Sequence, residues 1–322
     1  MKLNKLILAL VAAFIATGLH AATVNTSSGT FVDTKRNRDV PYKIYYPNLE
    51  QGTYPVIIFS HGLGGSCNGY SYFGEYMAQH GYICIHIQHK GSDSDIWKNA
   101  SSKMEVMQAM KRAVMRPKTS IDRFKDIPFT IDQIAAMNQS SPIFKGHIDV
   151  GSIGIAGHSF GAQTVLFAAG QKTVRGGFQL NDTRIKAGIA LSPNAPESFK
   201  DEDSDIYNDM KIPLLHITGT NDDSPLAGSK SGFTPANRTI PYQKIKNAPQ
   251  YLIVFDQATH MTFSGRDAEA SQDPFCEKHL ENVLQSSLAF FDCYLKGEKE
   301  RGAWLKKEFV KSLAQKDRFE WK

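Results

Sequence analysis

The apolar positions of this chain fall into short continuous runs separated by longer polar stretches. Val56 to Ser60 (VIIFS), Tyr82 to Gln88 (YICIHIQ), Ile153 to Ala156, Ile185 to Leu191 (IKAGIAL), Pro213 to Thr218 (PLLHIT) and Tyr251 to Phe255 (YLIVF) read as strands. Unbroken runs of this length are expected where a strand is buried on both faces. Val40 to Tyr46 alternates and reads as a strand ending at Pro47, after a polar strand-turn over Thr30 to Asp39. Tyr70 to His80 reads as a helix closed by Gly81, residues 92–127 as polar and partly helical, and Ile131 to Met137 as helix. Leu280, Val283, Leu284, Leu288, Phe291 and Leu295 keep helical spacing up to a stop at Gly297. Strands alternating with helices predict a mostly parallel central sheet with helices on both faces, as a single domain over residues 22–322.

One run carries more than a strand. Gly151 to Gly170, GSIGIAGHSFGAQTVLFAAG, reads as strand, tight turn and helix through Ala169. The turn is G-x-S-x-G centred on Ser159, the context in which a serine hydroxyl stands clear at the C-terminal edge of a sheet. Gly157 and Gly161 let strand and helix approach closely there. The helix N-terminus favours negative charge beside the hydroxyl. Without partners, the same motif is a glycine-rich connection with an incidental serine.

A serine at neutral pH needs a base, an orienting acid and a place for an oxyanion. Ile217-Thr218-Gly219-Thr220-Asn221-Asp222 sets a carboxylate just past one strand, and Phe255 to His260 sets a histidine just past the next. Each follows the C-terminus of its strand, so both lie at the end of the sheet where Ser159 stands. The assignment is Ser159 as nucleophile, His260 as base and Asp222 as the acid that orients it. Asp223 is assigned to the loop. His61-Gly62-Leu63-Gly64-Gly65 follows a buried strand, and the backbone amides of Leu63 and Phe160 are assigned to the oxyanion hole. Taken singly, an aspartate after a strand is a turn residue and a histidine in a loop has no role; their order and placement carry the reading.

SHGLGG (Ser60 to Gly65), GHSFG (Gly157 to Gly161), TGTNDDSP (Thr218 to Pro225) and THMTFSG (Thr259 to Gly265) resemble the platelet-activating-factor-acetylhydrolase-like branch of the α/β-hydrolases. QHKGSDS (Gln88 to Ser94) and DIPFTIDQI (Asp126 to Ile134) are similar too. Bacterial members are often labelled predicted dienelactone hydrolases, although true dienelactone hydrolases carry a cysteine where Ser159 stands. The resemblance spans roughly Val56 to Phe291. It implies an α/β-hydrolase fold and a cofactor- and metal-independent serine esterase acting on short or modified acyl groups, with Ser159, Asp222 and His260 as triad. A peptidase or amidase on the same triad, and a non-catalytic binding protein on the same scaffold, are the alternatives.

Composition adds bounds. The 322 residues are 41% apolar and 21% charged, with a formal net charge of +5. No dense Lys/Arg block points to nucleic acid, which leaves a small-molecule ester as the expected partner. Lys2 and Lys5 ahead of the apolar run Leu6 to Leu19, with Ala21 before Ala22, read as a cleavable signal peptide over residues 1–21. The run is shorter than the ~20 residues a membrane span needs, so the expected location is periplasmic or secreted. Cleavage would take the formal charge from +5 down by two lysines to +3. Cys276 and Cys293 flank the last long helix, and a continuous helix would hold them roughly 25 Å apart, beyond the ~7 Å a disulfide allows. Cys67 and Cys84 read as buried thiols. His86 and His89 lie three apart on a strand and face opposite sides, against a shared metal. Trp97, Phe160, Met261 and Phe263 are candidates to line an acyl pocket. Asn194 to Lys211 and Ser224 to Pro249 are irregular stretches after strands, read mostly as surface loops on the functional rim.

Overall fold

Six parallel strands make the body of the sheet: β3 (Tyr54–Ser60), β4 (Ile83–Ile87), β5 (Ile148–His158), β8 (Ile185–Leu191), β9 (Leu214–Asn221) and β10 (Gln250–Thr259). An antiparallel hairpin, β1 (Asn25–Asp33) and β2 (Arg38–Tyr46), flanks β4 at one edge, and β11 (Arg318–Trp321) closes the other edge antiparallel to β10. The order is β1-β2-β4-β3-β5-β8-β9-β10-β11, and a small hairpin of β6 (Ala169–Lys172) and β7 (Gln179–Asn181) stands apart. The computed structural model describes residues 23–50, 52–174, 178–196, 199–224, 226, 234–265 and 274–322. The signal peptide expected over residues 1–21 lies outside them. Among the described residues, no helix is long and apolar enough to cross a membrane.

The apolar runs are two-faced. Val56 and Ile58 of β3 enter one core, and Ile57 and Phe59 enter the other, as period-two geometry requires. The first core is covered by α3 (Pro117–Ser140) and α4 (Phe160–Ala168) through Ile127, Ile131, Ile134, Val165 and Leu166. The second is covered by α1 (Ser71–Gln79) and a long helix, Pro274–Leu295, through Phe73, Met77, Val283, Phe290 and Phe291. This layering is the α/β-hydrolase fold. The strand order reverses at β3: the chain leaves β3 for β4 on one side and returns to β5 on the other. A crevice at the C-terminal ends of β3 and β5 follows from that reversal. Ser60 pairs with Gly157 there, so the turn after β3 and the serine turn after β5 are neighbours by topology.

Some boundaries differ from the sequence expectations. β1 starts at Asn25, inside a polar stretch, because its pairing with β2 supplies what its apolar content does not. The helix read over Ile131 to Met137 is the second half of α3, which runs 24 residues through Pro128. Cys276 and Cys293 sit in one continuous helix, as the spacing argument assumed, and Cys67 and Cys84 are buried.

Candidate active site

Ser159 has φ 58° and ψ −115°, a conformation rare outside glycine. Such strain costs about 1–3 kcal/mol and persists only where surroundings impose it. They are visible here. The Ser159 N–H donates to the Leu191 carbonyl at the end of β8 (2.9 Å), and the Ser159 carbonyl accepts the Gln163 N–H to open α4 (3.1 Å). A Cβ on Gly161 would collide with the Ser60 carbonyl oxygen, and one on Gly157 would lie 2.8 Å from that same oxygen. Glycine at both positions lets the serine turn nest against the end of β3.

His260 follows β10, whose register shifts between Phe255 and Thr259. Its Nε2 lies 2.9 Å from Ser159 Oγ and its Nδ1 lies 2.8 Å from Asp222 Oδ1. Asp222 is fully buried, and its second oxygen accepts the Thr218 hydroxyl (2.7 Å). Burial alone would raise its carboxyl; the His260 hydrogen bond and the nearby Arg238 charge overcome that and hold it below the ordinary carboxylate value. The Asp223 backbone carbonyl accepts from Arg238 Nη2 at 3.3 Å, and its charge acts on the same guanidinium. The structure thus brings Ser159, His260 and Asp222 together, with Asp222 rather than Asp223 on the imidazole.

The Leu63 amide stands out in its turn. Gly62 N–H donates to Tyr70 Oη (3.2 Å), Gly64 N–H to the Ser92 carbonyl (2.8 Å) and Gly65 N–H to the Gly62 carbonyl (3.1 Å). Among the described residues, no protein acceptor takes the N–H of Leu63 or of Phe160, the first residue of α4. Both belong to segments in van der Waals contact, since Gly161 packs on Ser60 and His61.

Two buried residues, Arg238 and His158, and the half-buried Tyr70 support this cluster and have no signal in spacing. Arg238 lies in a single helical turn, Pro235–Thr239, inside the stretch read as a surface loop, with its side chain 3% exposed. His158 bridges the His260 carbonyl through Nε2 (3.0 Å) and Tyr70 Oη through Nδ1 (2.8 Å). Because a carbonyl only accepts, Nε2 carries the proton, Nδ1 accepts from Tyr70, and the Tyr70 oxygen accepts from Gly62. This chain ties the turn before Leu63 to the loop bearing His260. Burial first, and then the neighbouring His260, pull His158 well below the ordinary histidine value, so it stays neutral.

A second serine, histidine and aspartate meet below the site. Ser60 Oγ lies 3.0 Å from His89 Nε2, and His89 Nδ1 lies 2.9 Å from Asp126 Oδ2. All three are fully buried, and Arg123 donates to Ser60 Oγ (2.9 Å) and to the His61 carbonyl. His86 instead bonds the Gly69 carbonyl (3.0 Å). Of the aromatic pocket candidates, Trp97 donates to the Gly64 carbonyl (3.1 Å) beside the Leu63 turn, and Phe160 stacks over the Arg123 guanidinium. Phe263 is a correction: it is fully buried against Phe255 in the core, because the turn after His260 folds inward.

Residues 34–118 match the family model for platelet-activating factor acetylhydrolase, isoform II. Ser159, Asp222 and His260 lie outside that match. The chain is 28% identical to platelet-activating factor acetylhydrolase of Cavia porcellus over 304 residues, covering 82% of this chain and 63% of that protein. It is 29% identical to the Canis lupus familiaris enzyme of the same name over 189 residues (51% of this chain, 39% of that one). The Bos taurus enzyme gives 28% over 163 residues, 43% and 34% of the two chains. The chain thus spans less than two thirds of the length of these relatives. The chain is thus similar to the platelet-activating factor acetylhydrolases over most of its own length, on an α/β-hydrolase fold.

Proposed function

We propose that this chain is an exported serine esterase that hydrolyses carboxylic esters of short or modified acyl groups through an acyl-enzyme. The observation that carries the reading is the His260 imidazole set between Ser159 Oγ at 2.9 Å and Asp222 Oδ1 at 2.8 Å, with Ser159 held on a strained turn. His260 Nε2 takes the Ser159 proton as Oγ attacks the ester carbon. The tetrahedral oxyanion accepts the Leu63 and Phe160 amides. His260 returns the proton to the leaving alkoxide, and water then repeats the sequence on the acyl-enzyme. Asp222 keeps the proton on Nδ1 and offsets the imidazolium charge. The acetylhydrolase names of the relatives support an ester with a small acyl group.

Turnover of p-nitrophenyl esters of graded acyl length, with Ser159→Ala as control, tests this. Activity should peak at short chains and vanish in the variant along with fluorophosphonate labelling. Undiminished labelling of Ser159→Ala would overturn the nucleophile, and activity rising steadily toward long chains would overturn the acyl preference. The export reading predicts that secreted or periplasmic protein starts at or near Ala22; an intact Met1 in that fraction would make residues 1–21 an anchor.

A further inference from the structure

The Arg238 guanidinium touches every part of the acid side of the cluster. Its Nε lies 2.9 Å from Asp222 Oδ1 and donates to the Asp222 carbonyl at 3.0 Å. Its Nη1 donates to the Ser192 carbonyl at the end of β8 (2.9 Å) and reaches Asn194 Oδ1 at 3.5 Å. Its Nη2 donates to the Asp223 carbonyl and stands 3.1 Å from His260 Nδ1. We propose that Arg238 is a positioning residue for the triad: its planar guanidinium locks the Asp222 carboxylate and the backbone around it against the imidazole. The inference rests on the assignment of Ser159, His260 and Asp222 as the triad.

The fork follows from geometry. Asp222 leaves β9 on a loop, so the backbone after Asn221 does not itself fix the carboxylate. Thr218 holds Oδ2, while the single Nε–H of Arg238 donates to the main-chain carbonyl of the same residue with Oδ1 2.9 Å from that nitrogen, and Nη1 and Nη2 donate to the Ser192 and Asp223 carbonyls. A guanidinium presents rigid donors in one plane and can do this from a single buried position, which an ammonium cannot.

The other titratable groups packed on His260 among the described residues are Asp222 and His158, whose ring lies 4.7 Å away centroid to centroid. Arg238 Nη2 stands beside Nδ1 on the acid side of the ring, so it borders the imidazole as well as the carboxylate that orients it.

The test is kcat and KM for Arg238→Gln and Arg238→Lys, beside wild-type protein whose labelling by a fluorophosphonate is established first. In both variants kcat should fall about tenfold, as for a misoriented base, while KM stays within about threefold of wild type. Full kcat in a folded Arg238→Gln protein overturns the positioning role, as does a rise in KM with kcat unchanged. If that variant does not fold, the Lys variant decides alone by the same split. Absence of labelling in the wild type would instead overturn the triad itself.

Discussion

Two serine–histidine–aspartate clusters stand about one layer apart in this molecule, and their distances are nearly the same. Ser159, His260 and Asp222 meet at 2.9 and 2.8 Å; Ser60, His89 and Asp126 meet at 3.0 and 2.9 Å. The difference lies in what surrounds them. Ser159 is half-buried on a strained turn, beside two amides without protein acceptors among the described residues. Ser60 is fully buried in regular strand, and Arg123 occupies a lone pair of its hydroxyl. The bases differ too. Burial, then the Arg123 charge, pull His89 down to about 3, so it cannot serve as a base that ends protonated. The acids differ in partners: Asp126 bonds Arg38 at 2.8 and 2.7 Å and Arg36 at 2.9 Å, which spends its charge on strand β2 and the turn before it. Three side chains at hydrogen-bonding distance are therefore not yet a catalytic device. Access and a free oxyanion site make the distinction, since both acids are paired with arginine.

Substituting the two acids gives the largest contrast short of removing Ser159. Asp222→Asn should lower kcat per folded molecule by about 10⁴, because the imidazole is left in the wrong tautomer, and it also costs stability by unpairing the buried Arg238. Asp126→Asn should cost stability too, since it takes the carboxylate from the half-buried Arg38 and the buried His89, while Arg36 keeps Asp33. Its activity per folded molecule should stay within about tenfold of wild type, because it touches no reacting group. Parallel kinetics and urea denaturation read both. A folded Asp126→Asn protein with kcat as low as Asp222→Asn would erase the distinction between the clusters.

A smaller effect tests the buried base. The folded value of His89 lies below its unfolded value of about 6.5. Its neutral form is thus favoured by folding, so its contribution is fully present above pH 6.5 and is lost as pH falls toward about 3. Asp126, also held below its ordinary value, adds a further loss only at lower pH. In urea titrations, His89→Gln should remove up to about 1.4 kcal/mol per pH unit from the slope below pH 6.5. An unchanged slope would mean that His89 is protonated in the folded protein.

The sequence made one cluster visible and hid the other for a physical reason. Ser159, Asp222 and His260 each follow an apolar run within a few residues, so strand ends alone place them on one rim. Ser60, His89 and Asp126 come from a strand end, a loop and the middle of α3, and only the packing of α3 on the sheet joins them. Arg238 was hidden in the same way: a single arginine in a polar stretch has no period, and its role exists only through contacts with the ends of β8 and β9. The parallel strands were legible because burial on both faces writes unbroken apolar runs. β11 and the β6–β7 hairpin are short and half-exposed, and pairing rather than composition defines them.

The smallest expected effect is that of Ser60→Ala, and it bears most directly on the comparison. The Ser60 hydroxyl donates to His89 Nε2 and accepts from Arg123 Nη2. Truncation leaves His89 Nε2 without its donor, but Arg123 keeps the His61 carbonyl, Ser92 Oγ and Thr164 Oγ1 as acceptors. Losing one buried hydrogen bond and leaving one group unsatisfied costs about 1–3 kcal/mol. The backbone of Ser60 is unaltered, so its carbonyl still packs on Gly157 and Gly161 and the Leu63 turn keeps its place. Turnover should therefore remain within about threefold of wild type, the scale of an effect on geometry alone rather than on a reacting group. Fluorophosphonate should still label the protein at Ser159, located by peptide mapping. A folded Ser60→Ala protein that no longer takes the label would assign the nucleophile to the buried cluster and reverse the reading of both.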